Sequence, residues 1–336
     1  MGNPLFVAEL SANHNGSLET ARSLVRAAAL AGAGAIKLQT YMPQTMTLDL
    51  EKFSVSANHS LWGGKRLYEL YREAMTPWEW HSELFSLAYE LGMLAFSSPF
   101  DRTAVDFLES LGCPIYKIAS LETSDTDLIS YASSTGKPLI ISTGASELNE
   151  IHEAVKAATN GGCNDITLLV CTSSYPAKAV DAHVARISLL CNEFGTKVGL
   201  SDHTLGIGVS LAAIALGATV IEKHLTISRA EGGHDSAFSM EPNEFTQLVR
   251  EGNQAFEALG NKEWKIQEAE SESRRLRRSL FISKNVRKGE MATRDNVAAL
   301  RPNLGGPISD LPMILGKRFN NDYQAGSKAS IDCVEK

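Results

Sequence analysis

The chain has 336 residues, of which 43% are hydrophobic and 21% charged, a composition ordinary for a globular protein of about two domains. Its net charge of −7 argues against a nucleic-acid-binding protein. Five cysteines without CxxC or zinc-finger spacing favour reduced thiols in the cytoplasm, and we expect neither a signal peptide nor a membrane span. The charge is uneven: residues 1–262 carry a net −11 and residues 263–336 a net +4, which predicts a separate C-terminal domain.

Short apolar or β-branched runs alternate with amphipathic segments along most of the chain. Predicted strands cover residues 5–10, 35–40, 93–98, 115–119, 138–142, 166–171, 197–200 and 219–223. Predicted helices cover residues 18–31, 78–91, 103–111, 148–159, 209–216 and 242–259. Eight strand–helix units in about 250 residues predict a (β/α)8 TIM barrel. A doubly wound open sheet is the alternative, weakened because no GxGxxG follows the first strand.

The pattern changes after Gly260. Residues 263–278 are polar and end in RRLRR, which is typical of a linker. Residues 279–336 contain short strand-like runs and turns, which predict a small, mostly-β domain. We therefore expect a catalytic barrel over residues 1–262, a linker over 263–278 and a β domain over 279–336.

Every predicted strand of the barrel ends in polar side chains, where a (β/α)8 barrel carries its chemistry. In chain order they are Glu9; Lys37 and Gln39; Ser97 and Ser98; Lys117, Ser120 and Glu122; Ser142; Ser173 and Tyr175; Ser201 and His203; and Glu222, Lys223 and His224. A polar group that points into the barrel without a hydrogen-bond partner lowers the stability of the fold by about 1–3 kcal/mol. So many of them together predict an active site.

Two histidines lie at matching ends of the last two strands, which are neighbours in a barrel. His203 and His224 could share one divalent ion and leave coordination positions for water and substrate, as catalytic sites do. His14 and His81 have no such counterpart. Beside His234, the carboxylate of Asp235 is a candidate acid or substrate-orienting group.

Three lysines and three serines share the strand-end positions: Lys37, Lys117, Lys223, Ser120, Ser142 and Ser201. Several inward cations and hydroxyls would bind a phosphate and a carboxylate together. Each lysine could instead point outwards or pair with a carboxylate such as Glu122 or Glu222. A small, highly charged anion such as phosphoenolpyruvate fits the first alternative.

Motifs at these positions occur in the order found in a known enzyme family. They are AELSANHNGS (8–17), IKLQTY (36–41), FSSPFD (96–101), ISTG (141–144), CTSSYP (171–176), GLSDHT (199–204), IEKH (221–224) and RSLF…KGE…VAALRP (278–302). In them the chain resembles the sialic acid (nonulosonic acid) synthase family, metal-dependent enzymes that condense phosphoenolpyruvate with an amino-sugar aldehyde. The C-terminal part resembles the antifreeze-like (SAF) domain of these synthases.

One segment is similar to a particular branch of that family. Residues 61–81, LWGGKRLYELYREAMTPWEWH, resemble the pseudaminic acid synthases. Their sugar is 2,4-diacetamido-2,4,6-trideoxy-L-altrose. N-acetylneuraminate and legionaminate synthases, which share the same chemistry, remain alternatives.

The resemblance implies roles for individual residues. Metal ligands would be His203 and His224, binding Mn²⁺ or, as substitutes, Mg²⁺ or Co²⁺. Phosphoenolpyruvate would contact Lys37, Lys117, Ser120, Ser142, Ser173, Ser201 and Lys223, and the sugar would contact Glu9, Gln39, Glu122, Tyr175 and Asp235. Catalytic candidates are Glu9, Glu122, Lys117 and Asp235. Arg301 would reach the partner's barrel in a domain-swapped homodimer.

Two hypotheses of other classes remain open. In a Schiff-base aldolase, Lys117 would be the nucleophile. In a non-catalytic protein that binds carbohydrates or anions, a synthase fold would have been kept without its activity.

Overall fold

Eight parallel strands of the first part of the chain close into a barrel, in which each strand pairs with the next and the eighth with the first. The computed structural model describes residues 2–57 and 61–336. The barrel strands are β1 Leu5–Glu9, β2 Ala35–Thr40, β3 Leu94–Pro99, β4 Tyr116–Ile118, β5 Leu139–Ser142, β6 Ile166–Cys171, β7 Lys197–Ser201 and β8 Val220–His224. The (β/α)8 prediction is confirmed, and the doubly wound alternative is wrong because β8 pairs with β1.

Helices follow the strands of this barrel. They are α1 Leu18–Leu30, α2 Pro43–Met46, α3 Leu67–Ala74, α4 Trp78–Glu90, α5 Arg102–Ser110, α6 Thr126–Ser133, α7 Leu148–Asn160, α8 Arg186–Phe194, α9 Gly208–Ala215 and α10 Pro242–Leu259. Of these, α2 and α3 lie in the connection between β2 and β3, which borders a cavity at the strand ends. Sequence periodicity did not predict α2, α3, α6 or α8. These helices have four to nine residues, so the periodic pattern of each is short. Length alone is not the reason, because α5 and α9, of nine and eight residues, were predicted.

The core explains why the strands are readable in the sequence. All six residues of β6 are buried, because one face packs inside the barrel and the other against the helices. Strands buried on both faces are continuous apolar runs in the sequence.

In β7, a Cβ added at Gly199 would lie 2.5 Å from the carbonyl oxygen of Val220 in β8. Glycine thus lets β7 approach β8 closely, and these two strands carry the histidine pair.

The chain divides into two compact units, Met1–Gly260 and Asn261–Lys336. The second contains α11 Ser271–Arg275, β9 Ser279–Ile282, β10 Val297–Leu300 and α12 Leu311–Ile314, with β9 and β10 antiparallel. Its own core includes Leu280, Ile314 and Phe319. Residues 261–278, including α11, are exposed. Within the described residues of both units, no helix is long and apolar enough to cross a membrane.

Candidate active site

A cavity of about 410 Å³ lies among the strand ends of the barrel. Most of the predicted site residues line it: Lys37, Gln39, Lys117, Ser120, Glu122, Ser142, Tyr175, Ser201, His203, His224 and Asp235. They come from six strands and the loops that follow them. The closed barrel therefore brings together side chains that are up to about 200 residues apart in the sequence, as expected for this fold.

The deepest charged groups surround Lys37. Its ammonium is paired with Glu9, and the two side chains are 5% and 1% exposed. The same nitrogen lies 3.7 Å from Oε1 of Glu222, which accepts a hydrogen bond of 3.0 Å from the hydroxyl of Ser201. Burial raises the pKa of Glu9 against the opposing charge of Lys37, and the charge of Glu222 adds to the rise. Two carboxylates thus share one buried cation.

A second cation belongs to Lys117. Its Nζ donates hydrogen bonds of 2.6 Å to Oγ of Ser142 and 2.8 Å to the carbonyl oxygen of Ile118. Burial lowers the pKa of Lys117 to about 8. Burial also raises the pKa of Glu122 to about 7, although the charge of Lys117 opposes the rise. A carboxyl group with this pKa can exchange a proton at neutral pH.

Gly144 lets two predicted hydroxyls approach one another. A Cβ at this position would lie 2.4 Å from Oγ of Ser173 and 2.8 Å from Oγ of Ser120. The backbone N–H of Gly144 also donates to Oγ of Ser120 at 3.2 Å. Ser173 does not line the cavity itself. Its hydroxyl nevertheless lies beside the lining residue Ser120 because no side chain separates them.

The histidine pair lies on one side of the cavity, with ring centroids 5.3 Å apart. Nδ1 of His203 is 3.1 Å from the carbonyl oxygen of Thr172, so this nitrogen donates, and in the neutral ring Nε2 carries the lone pair. Burial lowers the pKa of His224 well below its ordinary value, which keeps it neutral. Its Nδ1 is buried and has no hydrogen-bond partner in the described part of the chain. Burial lowers the pKa of His203 as well, but Cys171 and the carbonyl oxygen of Thr172 together raise it above its ordinary value. Two imidazoles on one cavity, each deprotonated on one ring nitrogen, would fit a divalent ion.

The protein would supply few ligands to such an ion. No group of three or more His, Cys, Asp and Glu side chains arranged to hold a metal occurs among residues 2–57 and 61–336. An ion held by only two protein ligands would leave its other positions to water and substrate. That arrangement is typical of catalytic rather than structural metal sites.

Asp235 and Gln39 are joined through Ser11. The hydroxyl of Ser11 donates to the carboxylate of Asp235, and Nε2 of Gln39 donates to the same hydroxyl at 3.1 Å. Burial raises the pKa of Asp235. Nearby, the ring of Tyr175 lies with its centroid 4.5 Å from that of His203. These groups place hydrogen-bonding atoms beside the imidazole pair.

Lys223 does not reach the cavity, which corrects the prediction that it contacts substrate. Neighbouring residues of a strand face opposite sides, so Glu222 and His224 face inwards and Lys223 faces outwards. Lys223 is ion-paired with Asp202 at 3.0 Å, and both side chains are 1% exposed.

Arg301 lies in the second unit, where its side chain is exposed, and its role in the site stays a prediction.

Sequence reasoning missed several lining residues. Glu222 was counted among the polar strand-end residues and as a possible partner for a lysine, but no role in the site was assigned to it, although it shares the inward face of β8 with His224. Ser11 and Cys171 also line the cavity. A further set of lining residues is apolar and comes mainly from the connection between β2 and β3, namely Tyr41, Met46, Val55, Trp62, Leu67, Leu70, Tyr71, Ala74 and Phe100. Apolar residues recur at helical spacing within residues 67–74, and this pattern could have predicted the apolar face of α3.

Comparison with known proteins shows the family of this chain. The profile of the NeuB family matches residues 24–264. The chain belongs to the NeuB family. The pseudaminic acid synthase of Helicobacter pylori is 44% identical over 99% of this chain and 98% of its own length. The pseudaminic acid synthase of Campylobacter jejuni is 41% identical over 96% of this chain and 94% of its own length. These findings confirm the resemblance to the nonulosonic acid synthases.

A solved structure has a similar fold. The N-acetylneuraminic acid synthetase of Leptospira borgpetersenii is 30% identical and superimposes with a TM-score of 0.73. The similarity covers 81% of this chain and 90% of that one. It therefore extends over most of both chains.

Proposed function

We propose that this NeuB-family chain is a pseudaminic acid synthase. It would condense phosphoenolpyruvate with 2,4-diacetamido-2,4,6-trideoxy-L-altrose to give pseudaminic acid and inorganic phosphate. The observation that carries the proposal is the cavity in which Lys37, Lys117 and the imidazoles of His203 and His224 converge. Two relatives that match nearly the whole chain at 44% and 41% identity are named pseudaminic acid synthases, which supports this branch.

The cations suit an anionic substrate. Lys117 and the hydroxyl of Ser142 would bind the phosphate or carboxylate of phosphoenolpyruvate, with Ser120, Ser173 and Ser201 as further donors. Lys37 would add a second positive charge, although Glu9 and Glu222 already balance it in part. A buried cation repays its desolvation when it gains an anionic partner. The positive charges of Lys37 and Lys117 are only partly balanced by carboxylates, so an anionic substrate would complete the balance.

His203 and His224 would hold a divalent ion, with Mn²⁺ expected and Mg²⁺ or Co²⁺ as substitutes. When bound, this ion supplies Lewis-acid polarisation of the sugar aldehyde oxygen. Thr172 orients the His203 ring through its carbonyl oxygen, which leaves Nε2 free to bind. Tyr175, whose ring is tilted 57° to that of His203, and Gln39 would position the open-chain sugar.

The reaction requires proton transfers as well as charge stabilisation. C3 of phosphoenolpyruvate bonds to the aldehyde carbon, water adds at C2, and the C2–oxygen bond to phosphate breaks to release inorganic phosphate. One proton reaches the aldehyde oxygen, and the added water gives up another. Glu122, with a pKa of about 7, can serve as an acid or base in these transfers. Glu9 and Asp235 are further candidates, since burial raises the pKa of each.

Phosphate release with a panel of sugars tests the proposal. Purified protein is incubated with Mn²⁺, phosphoenolpyruvate and, in turn, the diacetamido altrose, N-acetylmannosamine and the legionaminic acid precursor. We expect phosphate release and a nonulosonic acid product with the altrose at the highest kcat/KM. A preference for either other sugar would reassign the branch. Chelator-resistant turnover with borohydride trapping of Lys117 by pyruvate would instead indicate a Schiff-base aldolase. No turnover with any sugar would favour a binding protein.

A further inference from the structure

Helix α3 presents an apolar stripe to the cavity. Leu67, Leu70, Tyr71 and Ala74 all line it, at the i, i+3, i+4 and i+7 spacing of one helical face. The charged residues of the helix lie elsewhere, with Glu73 paired to Lys65 at 2.6 Å. An amphipathic helix normally packs its apolar face on the core of the protein. Here that face borders a space that a ligand can enter.

The four stripe residues do not belong to the hydrophobic core of the barrel, as far as the described residues show. Leu70 is only 8% exposed, so it is covered without packing into that core. The ring of Tyr41 meets that of Tyr71 edge to face, with centroids 5.8 Å apart, and both line the cavity. We call Leu67, Leu70, Tyr71 and Ala74 the α3 wall.

Two residues near the α3 wall in the chain, Glu73 within α3 and Trp62 before it, contact the loop after β8. Oε2 of Glu73 lies 3.5 Å from Nε2 of His234. The indole N–H of Trp62 donates to the carbonyl oxygen of His234 at 3.1 Å. The next residue in that loop is Asp235, whose carboxylate lines the cavity. The wall and a candidate sugar-binding carboxylate are therefore positioned by the same loop.

We infer that the α3 wall recognises the C6 methyl group of a 6-deoxy sugar and selects against sugars with a hydroxyl at C6. The inference rests on the proposed function, because it assigns the far end of the acceptor in the same cavity. The aldehyde at C1 must lie near the polar strand ends that carry the imidazoles and lysines. C6 is the carbon farthest from C1 along the open chain, so it extends away from them.

The chemistry of the wall explains such a preference. Leu67, Leu70 and Ala74 offer hydrocarbon surface and Tyr71 an aromatic ring, and a methyl group placed against the three hydrocarbon side chains leaves water without leaving a polar atom unpaired. A hydroxyl at the same place would lose its hydrogen bonds to water. An apolar pocket rejects an analogue that adds one hydroxyl by a factor on the order of 100. We expect the 6-deoxy sugar to be preferred by roughly 10- to 100-fold in kcat/KM.

The test compares the diacetamido altrose with its 6-hydroxy counterpart in wild-type protein and in Leu70→Asn. The variant introduces an amide that can hydrogen-bond a hydroxyl. We expect the 6-deoxy preference to fall at least about fivefold while the KM for phosphoenolpyruvate stays within about twofold. Leu189→Asn is the matched control, because Leu189 is 49% exposed on α8 and lies outside the cavity.

A second variant and a binding measurement complete the design. Leu67→Gln should change the preference in the same direction if Leu70→Asn does not fold. Calorimetry with the non-reacting alditols of both sugars should show tighter binding of the 6-deoxy form to wild-type protein. Equal binding of the two alditols, or an unchanged preference in a folded Leu70→Asn or Leu67→Gln variant, would overturn the inference. Absence of turnover with every sugar would overturn the proposed synthase instead.

Discussion

Burial raises the pKa of three carboxyl groups of the site, those of Glu9, Glu122 and Asp235. Against the effect of burial, Lys37 and Lys117 lower the pKa of Glu222. Glu122 is the clearest case, since its Oε2 is buried and has no hydrogen-bond partner within the described residues. Burial raises its pKa from 4.5 to about 7. Such a group costs stability when it must ionise, and the same property suits it to proton transfer near neutral pH. The raised pKa of Glu122 therefore lowers stability where the group ionises, and the same raised pKa favours catalysis.

We expect Glu122→Gln to stabilise the protein relative to wild type as the pH rises from 4.5 to 7. In this window the unfolded chain has released the Glu122 proton and the folded chain still holds it, so wild-type stability falls with rising pH. The difference should reach at most about 3 kcal/mol above pH 7 and vanish below 4.5. Chemical unfolding of both proteins across this range measures it. A constant difference at all pH values would contradict the shifted pKa.

The imidazole pair allows a prediction about metal binding. His203→Ala and His224→Ala should each remain folded, lose most of their affinity for Mn²⁺ and lose the proposed activity. Calorimetric titration with Mn²⁺ measures the first effect independently of turnover. His152→Ala is the matched control, because His152 is exposed and pairs with Glu193 at 3.0 Å on the outer surface. Unchanged Mn²⁺ affinity in both active-site variants would rule out this pair as the ligands.

At the scale of elements, the alternation of side chains along β8 separates functional from structural residues. Glu222 and His224 line the cavity, and Lys223 between them faces the helices. Asp202, its partner, also accepts a hydrogen bond of 2.7 Å from Ser210 on α9. The outward side of β8 thus carries an ion pair that connects the strand ends to the helical layer.

We expect Lys223→Met to destabilise the fold without weakening phosphoenolpyruvate binding. Removing one partner of a buried ion pair leaves the other charge uncompensated, which costs about 3–5 kcal/mol. Denaturant unfolding should show this loss, with KM for phosphoenolpyruvate within about twofold of wild type. Lys37→Met, on the inward face of β2, should raise that KM instead. Adding Asp202→Asn to Lys223→Met should restore part of the stability. A stable Lys223→Met with a much higher KM would return Lys223 to the substrate site.

Element prediction failed mainly where helices are short. The strands were found because continuous apolar runs mark strands buried on both faces. By contrast, α6 has eight residues and begins with the side chain of Asp125 accepting from the N–H of Leu128 at 3.0 Å. One N-cap and two turns give a weak pattern, although α9, also of eight residues, was predicted. The predicted barrel was therefore correct although several of its helices were missing from the prediction.

At the scale of the whole molecule, the two compact units match the change in charge near residue 262. Each unit has a hydrophobic core of its own. We propose that the second unit is an SAF domain whose Arg301 completes the active site of a partner subunit in a domain-swapped homodimer. The domain limits at residues 262 and 278 belong to this proposal.

Mixing two inactive variants tests the exchange of the small domain. We expect Arg301→Ala and His203→Ala, unfolded and refolded together, to recover about a quarter of wild-type activity. Half of the random dimers would be mixed, and each would contain one complete site built from two chains. Each variant refolded alone is the control and should stay inactive. Failure of the mixture to recover activity would mean that Arg301 acts within its own chain or has no role.

The sequence by itself determined the barrel, the small C-terminal domain and most of the polar residues of the cavity. It could do so because hydrophobic periodicity and strand-end position are local properties of the chain. Only the tertiary structure decided which way individual side chains point. Lys223 and the stripe of α3 show this, since a periodic pattern tells which residues share a face but not what that face meets. In the closed barrel, the side chain of Lys223 lies on the outward side of β8, and the apolar face of α3 lines the cavity.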